Sequence, residues 1–541
     1  FCHFEYTTPW GRTPILHNGS CLGLLSEGET QWQLTVYGKD FETPDWLKGG
    51  VFYQIFPDRF NCSGEKKKNV PADRILRTDL NGEPEWRPTS EGKVLNNDYF
   101  CGDLKGIEEK LSYLSELGVT CLYLNPIFES QSNHRYDTSD YSKIDPLLGT
   151  EKDLEHLCSK AEKLGISVIL DGVFNHTGDD SLYFNKYGKY DSNGACNCEN
   201  SPYRNWFNFK CYPCDYDSWW GIDILPKLNQ NNEECRNYFT GENGVIEKYT
   251  KMGIGGWRLD VADELPDEFI EKIRERIEFV KPGSLLLGEV WEDASNKEAY
   301  GVRRKYILGK GLSSVMNYPF KDAIISYLAH DDAEGFIDQI LTITENYPKE
   351  VVDLLMNPLG THDTMRIITR LSGESCENKD RAWQENFTLT DEQRRHCINL
   401  FKIAVAIQYT LPGFPSVYYG DEVGMEGCKD PFNRQAYPWE NRGINADLLK
   451  LHITLGKLRA DNPLLKDAPF VPISGAQGCV AYARENETGA LIVIANRATS
   501  AIDYYLPEKY ANAELILGDA QKKSGEELIK VSAESFAILK N

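Results

Sequence analysis

The sequence predicts an α/β protein built on a (β/α)8 barrel, or TIM barrel, with an inserted subdomain after strand 3 and a C-terminal antiparallel β-domain. Three observations predict it: eight short apolar runs, amphipathic stretches between them, and alternating strands near the C-terminus. The 541 residues are enough for a large barrel and a smaller module. A doubly wound sheet is the alternative, but it usually has fewer strands and a Gly-rich phosphate loop, which this sequence lacks.

The eight apolar runs are the predicted barrel strands. Most are continuous rather than alternating, which is typical of parallel strands buried on both faces. The runs cover residues 51–56, 121–124, 167–170, 256–259, 285–288, 314–316, 353–356 and 416–419. Amphipathic patterns between them, such as 104–117 and 267–280, predict the helices.

The chain divides into three predicted parts. Residues 1–45, ending in the run 33–37, are expected to be the remnant or tail of an N-terminal β-domain. Residues 46–462 would form the barrel, with an inserted subdomain at about 177–244, where Asn, Tyr, Trp and Cys are frequent. The alternating strands of 463–541 predict a C-terminal β-sandwich domain.

Composition limits the class of partner. The formal net charge is −23, and no basic run exceeds Lys66–Lys68, so we expect no binding to nucleic acid, whose phosphates require Lys and Arg. No segment approaches the ~20 apolar residues of a membrane span. Aromatic residues make up 12% of the chain, which suits stacking on sugar rings but is equally explained by a large core. A neutral polymer is compatible with this surface.

The 15 cysteines are scattered, mostly within predicted core elements. This usage suits buried thiols in a reducing cytosol better than a disulfide framework, so we expect a cytoplasmic protein. The chain begins at Phe1 rather than Met, and we therefore expect a processed or truncated N-terminus, which leaves an extracellular location open.

One group of cysteines stands apart, with four sulfurs within nineteen residues: Cys196, Cys198, Cys211 and Cys214. Such a group can bind structural zinc, although the first pair has one spacer residue where two to four are usual. Free thiols and a local disulfide are the alternatives, and the role would be structural in each case.

Candidate functional residues lie at or just after the ends of four of the predicted strands. In a barrel of this type the active site lies at the C-terminal ends of the strands, so these residues would share one rim. A single carboxylate after a strand is often a helix N-cap, but coincidence at four strand ends favours an active site. The residues are Asp171, Asn175, His176, Arg258, Asp260, Glu289, Trp291, His362 and Asp363.

This set suits glycoside cleavage. A retaining glycosidase needs one carboxylate to attack the anomeric carbon and one acid to protonate the leaving oxygen, about 5–5.5 Å apart. Neighbouring strands, about 4.8 Å apart, can present Asp260 and Glu289 in this way. Arg258 points to the same side as Asp260 and should keep it ionised. The apolar bulk of Trp291 would favour the protonated form of Glu289.

These residues resemble the four signature segments of the α-amylase family, family 13 of the glycoside hydrolases, and the resemblance runs from about Trp46 onward. It implies a covalent glycosyl-enzyme with Asp260 as nucleophile, Glu289 as acid/base and Asp363 as transition-state stabiliser. It also implies binding of the −1 sugar by several residues, with Tyr136 stacking on the ring. The further residues implied in substrate binding are Asp171, His176, Arg258, Trp291 and His362.

Three further segments resemble neopullulanases, cyclomaltodextrinases and maltogenic amylases. They are 132–138, 225–229 and 430–434, and the resemblance implies that Asp430 and Arg434 contact the −2 sugar. Asn229 as a turn residue, and Asp430 with Arg434 as a surface ion pair, stay open as alternatives. That subgroup usually has a complete N-terminal β-domain, which often builds a dimer. Here a remnant is predicted, so monomer and homodimer are both open.

The resemblance implies no required cofactor. Some members bind calcium in a loop after strand 1, but here Asn61–Lys68 carries three lysines that would oppose a cation. Asp103 alone is a poor ligand set, so we expect calcium there to be weak or absent and assign no metal ligand.

Three hypotheses for function follow. The first is hydrolysis of α-1,4 links in starch, maltodextrin, pullulan or cyclodextrin. The second is transglycosylation or α-1,6 cleavage by the same site. The third is a non-catalytic α-glucan-binding protein on the same fold. The third is disfavoured because Asp260, Glu289 and Asp363 are all present.

Overall fold

Eight parallel strands form a closed barrel. The structure, a computed structural model, describes residues 1–9, 11–17, 23–25, 31–440, 444–476 and 478–541. The barrel strands are β1 (Phe52–Ile55), β2 (Cys121–Leu124), β3 (Ser167–Gly172), β4 (Gly256–Leu259), β5 (Leu285–Gly288), β6 (Ser314–Val315), β7 (Met356–Pro358) and β8 (Phe414–Tyr418). They pair in the order β6–β5–β4–β3–β2–β1–β8–β7, and a parallel bridge between Met316 and Met356 closes the ring. The predicted fold class is confirmed.

Helices connect these strands. The predicted helix 267–280 is confirmed, whereas 104–117 is two helices that meet at Lys110. The larger helices around the barrel are Leu104–Glu109, Leu111–Glu116, Glu151–Glu162, Glu233–Thr240, Val245–Lys251, Asp267–Val280, Tyr318–His330, Ala333–Asn346, Asp391–Thr410 and Ala446–Asp461. Shorter helical turns are Pro57–Phe60, Lys349–Val352, Ile367–Leu371, Arg381–Glu385 and Leu464–Asp467.

The seventh strand begins later than predicted. The run 353–356 was expected to be the strand, but a helical turn, Lys349–Val352, precedes it and β7 begins at Met356. Asp353 lies one turn after Lys349 and accepts a 2.6 Å hydrogen bond from its ammonium group. This local pairing favours the helical turn over an earlier start of the strand.

The barrel interior explains where the polar residues lie. Ile169 and Leu287 belong to a buried layer inside the barrel. Because side chains alternate along a strand, the residues two positions later also point inward, at the C-terminal mouth. Those residues are Asp171 and Glu289, and Arg258 pairs in register with Asp171 on one side and Leu287 on the other. The strand period therefore places the charged residues in the next interior layer.

The segment after β3 forms a small inserted unit, as the fold prediction expects. It contains short strands at Phe209–Cys211 and Asp215–Tyr216 and the helix Glu233–Thr240. A bridge between His176 and Lys227 ties it to the barrel rim. Its limits at 177 and 244 stay a prediction.

The C-terminal part contains two antiparallel sheets. Five strands pair in the order Phe470–Ala476, Cys479–Asn486, Gly489–Asn496, Ser535–Lys540 and Glu514–Gly518, and three pair as Ile502–Tyr505, Leu528–Val531 and Ala520–Lys522. A buried cluster that includes Ile492, Ile529 and Leu539 joins the two sheets. The predicted alternating strands are confirmed.

The N-terminal part differs from the prediction in one respect. Strands Phe4–Thr8, Gly11–His17 and Gly23–Leu25 form an antiparallel sheet. The expected strand at 33–37 is wrong, since these residues form no strand in the structure. Their side chains bind the barrel domain instead: Gln33 Nε2 lies 2.7 Å from Ser295 Oγ, and Thr35 Oγ1 donates to the Asn346 carbonyl at the end of a helix at 2.6 Å.

Two cysteines form a disulfide that the cysteine pattern did not predict. Cys376 and Cys428 are 52 residues apart, in the loops that follow β7 and β8. The fold brings their Cα atoms to 5.9 Å, within the range that a disulfide requires.

Among the helices that the structure describes, none is long and apolar enough to cross a membrane.

Candidate active site

The C-terminal mouth of the barrel opens into a cleft of about 390 Å³. Nine of the eleven predicted site residues line it: Tyr136, His176, Asp260, Glu289, Trp291, His362, Asp363, Asp430 and Arg434. The other two, Asp171 and Arg258, lie buried beneath. A larger hollow of about 580 Å³ around Glu83 and Phe432 contains none of them. The structure therefore brings the whole predicted set together.

Arg258 is the centre of the site. Its Nη1 lies 2.8 Å from Asp171 Oδ1 and 2.9 Å from Asp260 Oδ1, and its Nη2 lies 2.8 Å from Glu289 Oε2. The guanidinium is fully buried. One cation thus contacts both Asp260 and Glu289 and places the two carboxyl groups side by side.

The pKa of Asp260 is shifted in the direction opposite to the sequence-based expectation. Burial raises the pKa of Asp260 well above its usual value, and the nearby carboxylates Glu289, Asp171 and Asp363 raise it further. Arg258 opposes this shift, as predicted, but its charge is shared among three carboxylates. Burial therefore outweighs the ion pair in the free site.

Both carboxyl oxygens of Glu289 accept hydrogen bonds. The backbone N–H of Val261 donates to Oε2 at 2.8 Å, and the indole Nε1–H of Trp291 donates to Oε1 at 3.1 Å. Val261 has φ 40°, which a β-branched residue rarely adopts, and this conformation goes with the N–H contact to Glu289. Trp291 therefore meets Glu289 through a polar contact and not through apolar bulk alone.

Tyr136 and His362 form one wall of the cleft. Their rings are parallel, with centroids 5.2 Å apart. The Tyr136 hydroxyl donates to Asp171 Oδ2 at 2.9 Å and lies 2.6 Å from His362 Nε2. Gln54 Nε2 lies 2.9 Å from His362 Nδ1, within hydrogen-bond distance. Burial and the charges of nearby arginines lower the pKa of His362, which keeps it neutral.

Three interior residues of this wall were missed in the sequence. They are Gln54, Tyr123 and Asn125; Tyr123 donates to Asp171 Oδ2 at 2.6 Å, and Asn125 donates to the Tyr136 hydroxyl at 3.0 Å. Gln54 lies two residues after Phe52, and Asn125 two after Tyr123. The same alternation that places Asp171 could therefore have identified them.

Asp430 and Arg434 also line the cleft and form an ion pair of 2.9 Å. The pair lines the cleft, and 8% of the Arg434 side chain is exposed. Arg434 also donates from Nε to the His362 carbonyl at 2.9 Å and lies 3.5 Å from Asp363. Burial and the charge of Glu289 raise the pKa of Asp363 to about 7; 37% of its side chain is exposed, so water limits this shift.

An aromatic row that sequence analysis did not single out extends from the inserted segment into the cleft. The Trp219 ring stacks on His176, with centroids 5.4 Å apart, and the exposed Trp220 ring stacks on Trp219 at 5.0 Å. Burial lowers the pKa of His176 to about 4.

Asn229, from the same segment, accepts from the Asn231 N–H at 3.2 Å and does not line the cleft, so it is a turn residue.

The residues of the two candidate metal positions make contacts with their neighbours. Lys67 ion-pairs with Asp103, which also accepts from the Ser63 hydroxyl at 2.7 Å and caps the helix that follows. The four cysteines of the 196–214 group form no disulfide in the structure. Within the described ranges, no three His, Cys, Asp or Glu side chains are placed to hold a metal ion.

Comparison with known proteins agrees with this geometry. A family model described as the catalytic domain of alpha amylase matches residues 54–462. Amylopullulanase from Thermoanaerobacterium saccharolyticum is 37% identical over 94% of this chain. Cyclomaltodextrinase from Geobacillus thermopakistaniensis is 32% identical over 86% of this chain and 72% of its own length. The type III pullulan hydrolase from Thermococcus kodakarensis has a TM-score of 0.77 at 28% identity, covering 100% of this chain and 88% of that structure.

The chain spans a minority of the length of its amylopullulanase relatives, at 43%, 35% and 25% of the three. The family assignment depends on the barrel, and there the match includes more than half of the chain together with the cleft residues. The chain belongs to the α-amylase family, family 13 of the glycoside hydrolases.

Proposed function

We propose that this chain hydrolyses α-1,4-glucosidic bonds of α-glucans with retention of configuration. The observation that carries the proposal is the contact of one buried guanidinium, Arg258, with both Asp260 and Glu289 at the mouth of the barrel. Its relatives' names, cyclomaltodextrinase and neopullulanase, support the same class of substrate. An intact carboxylate set argues against a non-catalytic glucan-binding protein.

The reaction would proceed in two steps. Asp260 attacks the anomeric carbon, the glycosidic C–O bond breaks, and Glu289 gives its proton to the leaving oxygen. In the second step Glu289 takes a proton from water, the water oxygen attacks the same carbon, and the bond to Asp260 breaks. Asp363 would stabilise positive charge at the sugar ring in each transition state.

The remaining predicted residues would bind the glucan. Tyr136 and the neutral His362 form a flat wall at the −1 sugar, and a parallel ring pair suits stacking on a pyranose face. Asp430 and Arg434 also line the cleft, and we propose that they contact the −2 sugar. The row of Trp219 and Trp220 would hold the other side of the chain.

Cleavage of α-1,6 links in the same cleft is a second candidate. Three relatives are named amylopullulanase, and the covalent intermediate does not depend on which hydroxyl leaves. Transglycosylation differs only in the acceptor that replaces water.

A product profile on starch, pullulan and β-cyclodextrin tests the proposal. Panose from pullulan would show α-1,4 cleavage, and maltotriose would show α-1,6 cleavage. The Asp260→Asn variant is the matched control for contaminating activity. Absence of products from all three substrates with the wild-type chain would refute the proposal.

We also propose that the reaction needs no cofactor, because the cleft residues supply the nucleophile, the acid and the charge stabilisation. Extensive treatment with chelator should leave the rate unchanged.

For location, the scattered free thiols favour the cytoplasm, whereas a disulfide such as Cys376–Cys428 is typical of oxidising compartments. Cell fractionation with an antibody to this chain decides between them, and analytical ultracentrifugation decides between monomer and homodimer.

A further inference from the structure

Tyr318 is a fully buried residue next to the carboxylates that the proposed mechanism does not use. It follows β6, two residues after Met316, and both belong to the interior layer of the barrel. Its ring stacks on Trp291, with centroids 3.9 Å apart and planes 7° apart. The Lys321 ammonium lies 5.1 Å from the Tyr318 centroid and 5.6 Å from the Trp291 centroid. Tyr318 and Lys321 therefore hold the indole from the side of β6.

The hydroxyl of Tyr318 makes no hydrogen bond to the part of the chain that the structure describes, although it lies close to Thr361. Burial and the charges of Glu289 and Asp363 raise the pKa of Tyr318 well above that of free tyrosine, so it stays a neutral ring. Tyr318 is not among the residues that line the cleft. Any effect of Tyr318 on the reaction must therefore pass through a neighbour, and Trp291 is the neighbour that it stacks on.

The neighbouring Glu289 has two unequal oxygens. Oε2 accepts the Val261 N–H at 2.8 Å and lies 2.8 Å from the positively charged Arg258 Nη2, a contact that is an ion pair and not a hydrogen bond. The cation next to Oε2 disfavours a proton on this oxygen. Oε1 receives the Trp291 indole N–H at 3.1 Å, which leaves one lone pair. The acid form of Glu289 therefore carries its proton on Oε1, and the Trp291 contact decides in which direction that proton points.

We propose that Tyr318 is a positioning residue for the acid/base: by stacking on Trp291, it fixes the indole N–H on Glu289 Oε1, so that the proton on Oε1 points towards the leaving oxygen. This inference rests on the proposed glycosidase function. The aromatic ring of Tyr318 is what positions Trp291, whereas the Tyr318 hydroxyl is not needed for this role. Loss of the stack should weaken proton donation more than it weakens substrate binding.

The test compares two aryl substrates that differ in leaving-group acidity but hardly in size: 4-nitrophenyl α-maltoside and phenyl α-maltoside. The 4-nitrophenolate leaves without much help from an acid, whereas the phenolate needs a proton. The variants are Tyr318→Leu, which removes the stack, Trp291→Phe, which keeps a ring but removes the N–H donor, and Tyr318→Phe, which keeps the stack. Thermal unfolding of each variant reports whether it is folded.

We expect Tyr318→Leu and Trp291→Phe each to lower kcat/KM for phenyl α-maltoside about tenfold more than for 4-nitrophenyl α-maltoside. Tyr318→Phe should keep the wild-type ratio. If Tyr318→Leu does not fold, the Trp291→Phe variant still tests whether the indole N–H is needed for proton donation. Equal losses on both substrates would overturn the proposal, since they indicate a structural or binding role. A loss in Tyr318→Phe as large as in Tyr318→Leu would also overturn it. No activity of the wild-type chain on either substrate would instead refute the proposed function.

Discussion

Arg258 Nη1 and Asp260 Oδ1 form a buried ion pair of 2.9 Å between two residues of one strand end. The same Nη1 also lies 2.8 Å from Asp171. Because a single guanidinium cannot fully neutralise several carboxylates, the nucleophile is less stabilised as an anion than an isolated Arg–Asp pair would be. This sharing of one cation determines how the site should respond to pH.

We predict that Asp171→Asn moves the acid limb of the kcat/KM profile to lower pH. The pKa of Asp260 is raised by burial and, in part, by the charge of Asp171, and Arg258 lowers it. Removing the Asp171 charge lowers the pKa of Asp260 and leaves more of Arg258 to its anion, so the nucleophile is deprotonated at lower pH. The measurement is kcat/KM for 4-nitrophenyl α-maltoside across pH. The exposed Asp79→Asn serves as control and should not move the limb; an upward shift in Asp171→Asn would contradict the account.

Asp260→Asn should lower kcat on the same maltoside roughly ten thousandfold, as expected when a covalent nucleophile is removed. The amide is nearly isosteric and removes a charge that burial disfavours, so the melting temperature should be unchanged or higher. Steady-state kinetics and calorimetry give both quantities. Near-wild-type activity would show that Asp260 is not the nucleophile.

Glu289→Gln should lose activity mainly on substrates whose leaving group needs a proton. We expect a fall of roughly a hundredfold to ten thousandfold on maltotriose, whose leaving sugar needs a proton. On an activated aryl maltoside the bond-breaking step should be affected much less, which burst kinetics can resolve. A uniform loss on both substrates would argue against the acid role.

The disulfide between Cys376 and Cys428 should stabilise the loops after β7 and β8. Closing a loop of 52 residues restricts the unfolded chain, and the expected contribution is about 2–4 kcal/mol. The double variant Cys376→Ser/Cys428→Ser should therefore unfold at lower denaturant concentration than the oxidised wild type. Reductant should lower the stability of the wild type and leave the variant unchanged; equal response of both would contradict the pairing.

The fold and the carboxylates could be predicted because both depend on strand period. Continuous apolar runs marked the barrel strands, and the first polar residues after them, such as Asp171 and Asp260, must lie at the mouth. Contacts that form only in the folded chain were harder to predict from the sequence. The start of β7 depended on the pairing of Lys349 with Asp353, and the Cys376–Cys428 disulfide on two loops distant in sequence.

The environment of each charge was the hardest to predict. The sequence places Arg258 near Asp260 but does not show that Asp171 and Glu289 share the same guanidinium. The pKa of Asp260 was therefore expected to be lowered by Arg258, whereas burial raises it. Likewise, Trp291 was expected to act through apolar bulk, and its orientation depends on stacking with Tyr318, which the pattern after β6 did not reveal.

The configuration of the first-formed product shows whether Asp260 and Glu289 act as a retaining pair. Maltotriose or starch is hydrolysed in an NMR tube, and the anomeric proton signals are followed before mutarotation equilibrates them. A covalent intermediate on Asp260, opened by water that Glu289 activates, predicts that the α-anomer appears first. If the β-anomer appears first, the reaction inverts configuration, and the assignment of Asp260 and Glu289 as a retaining pair is wrong.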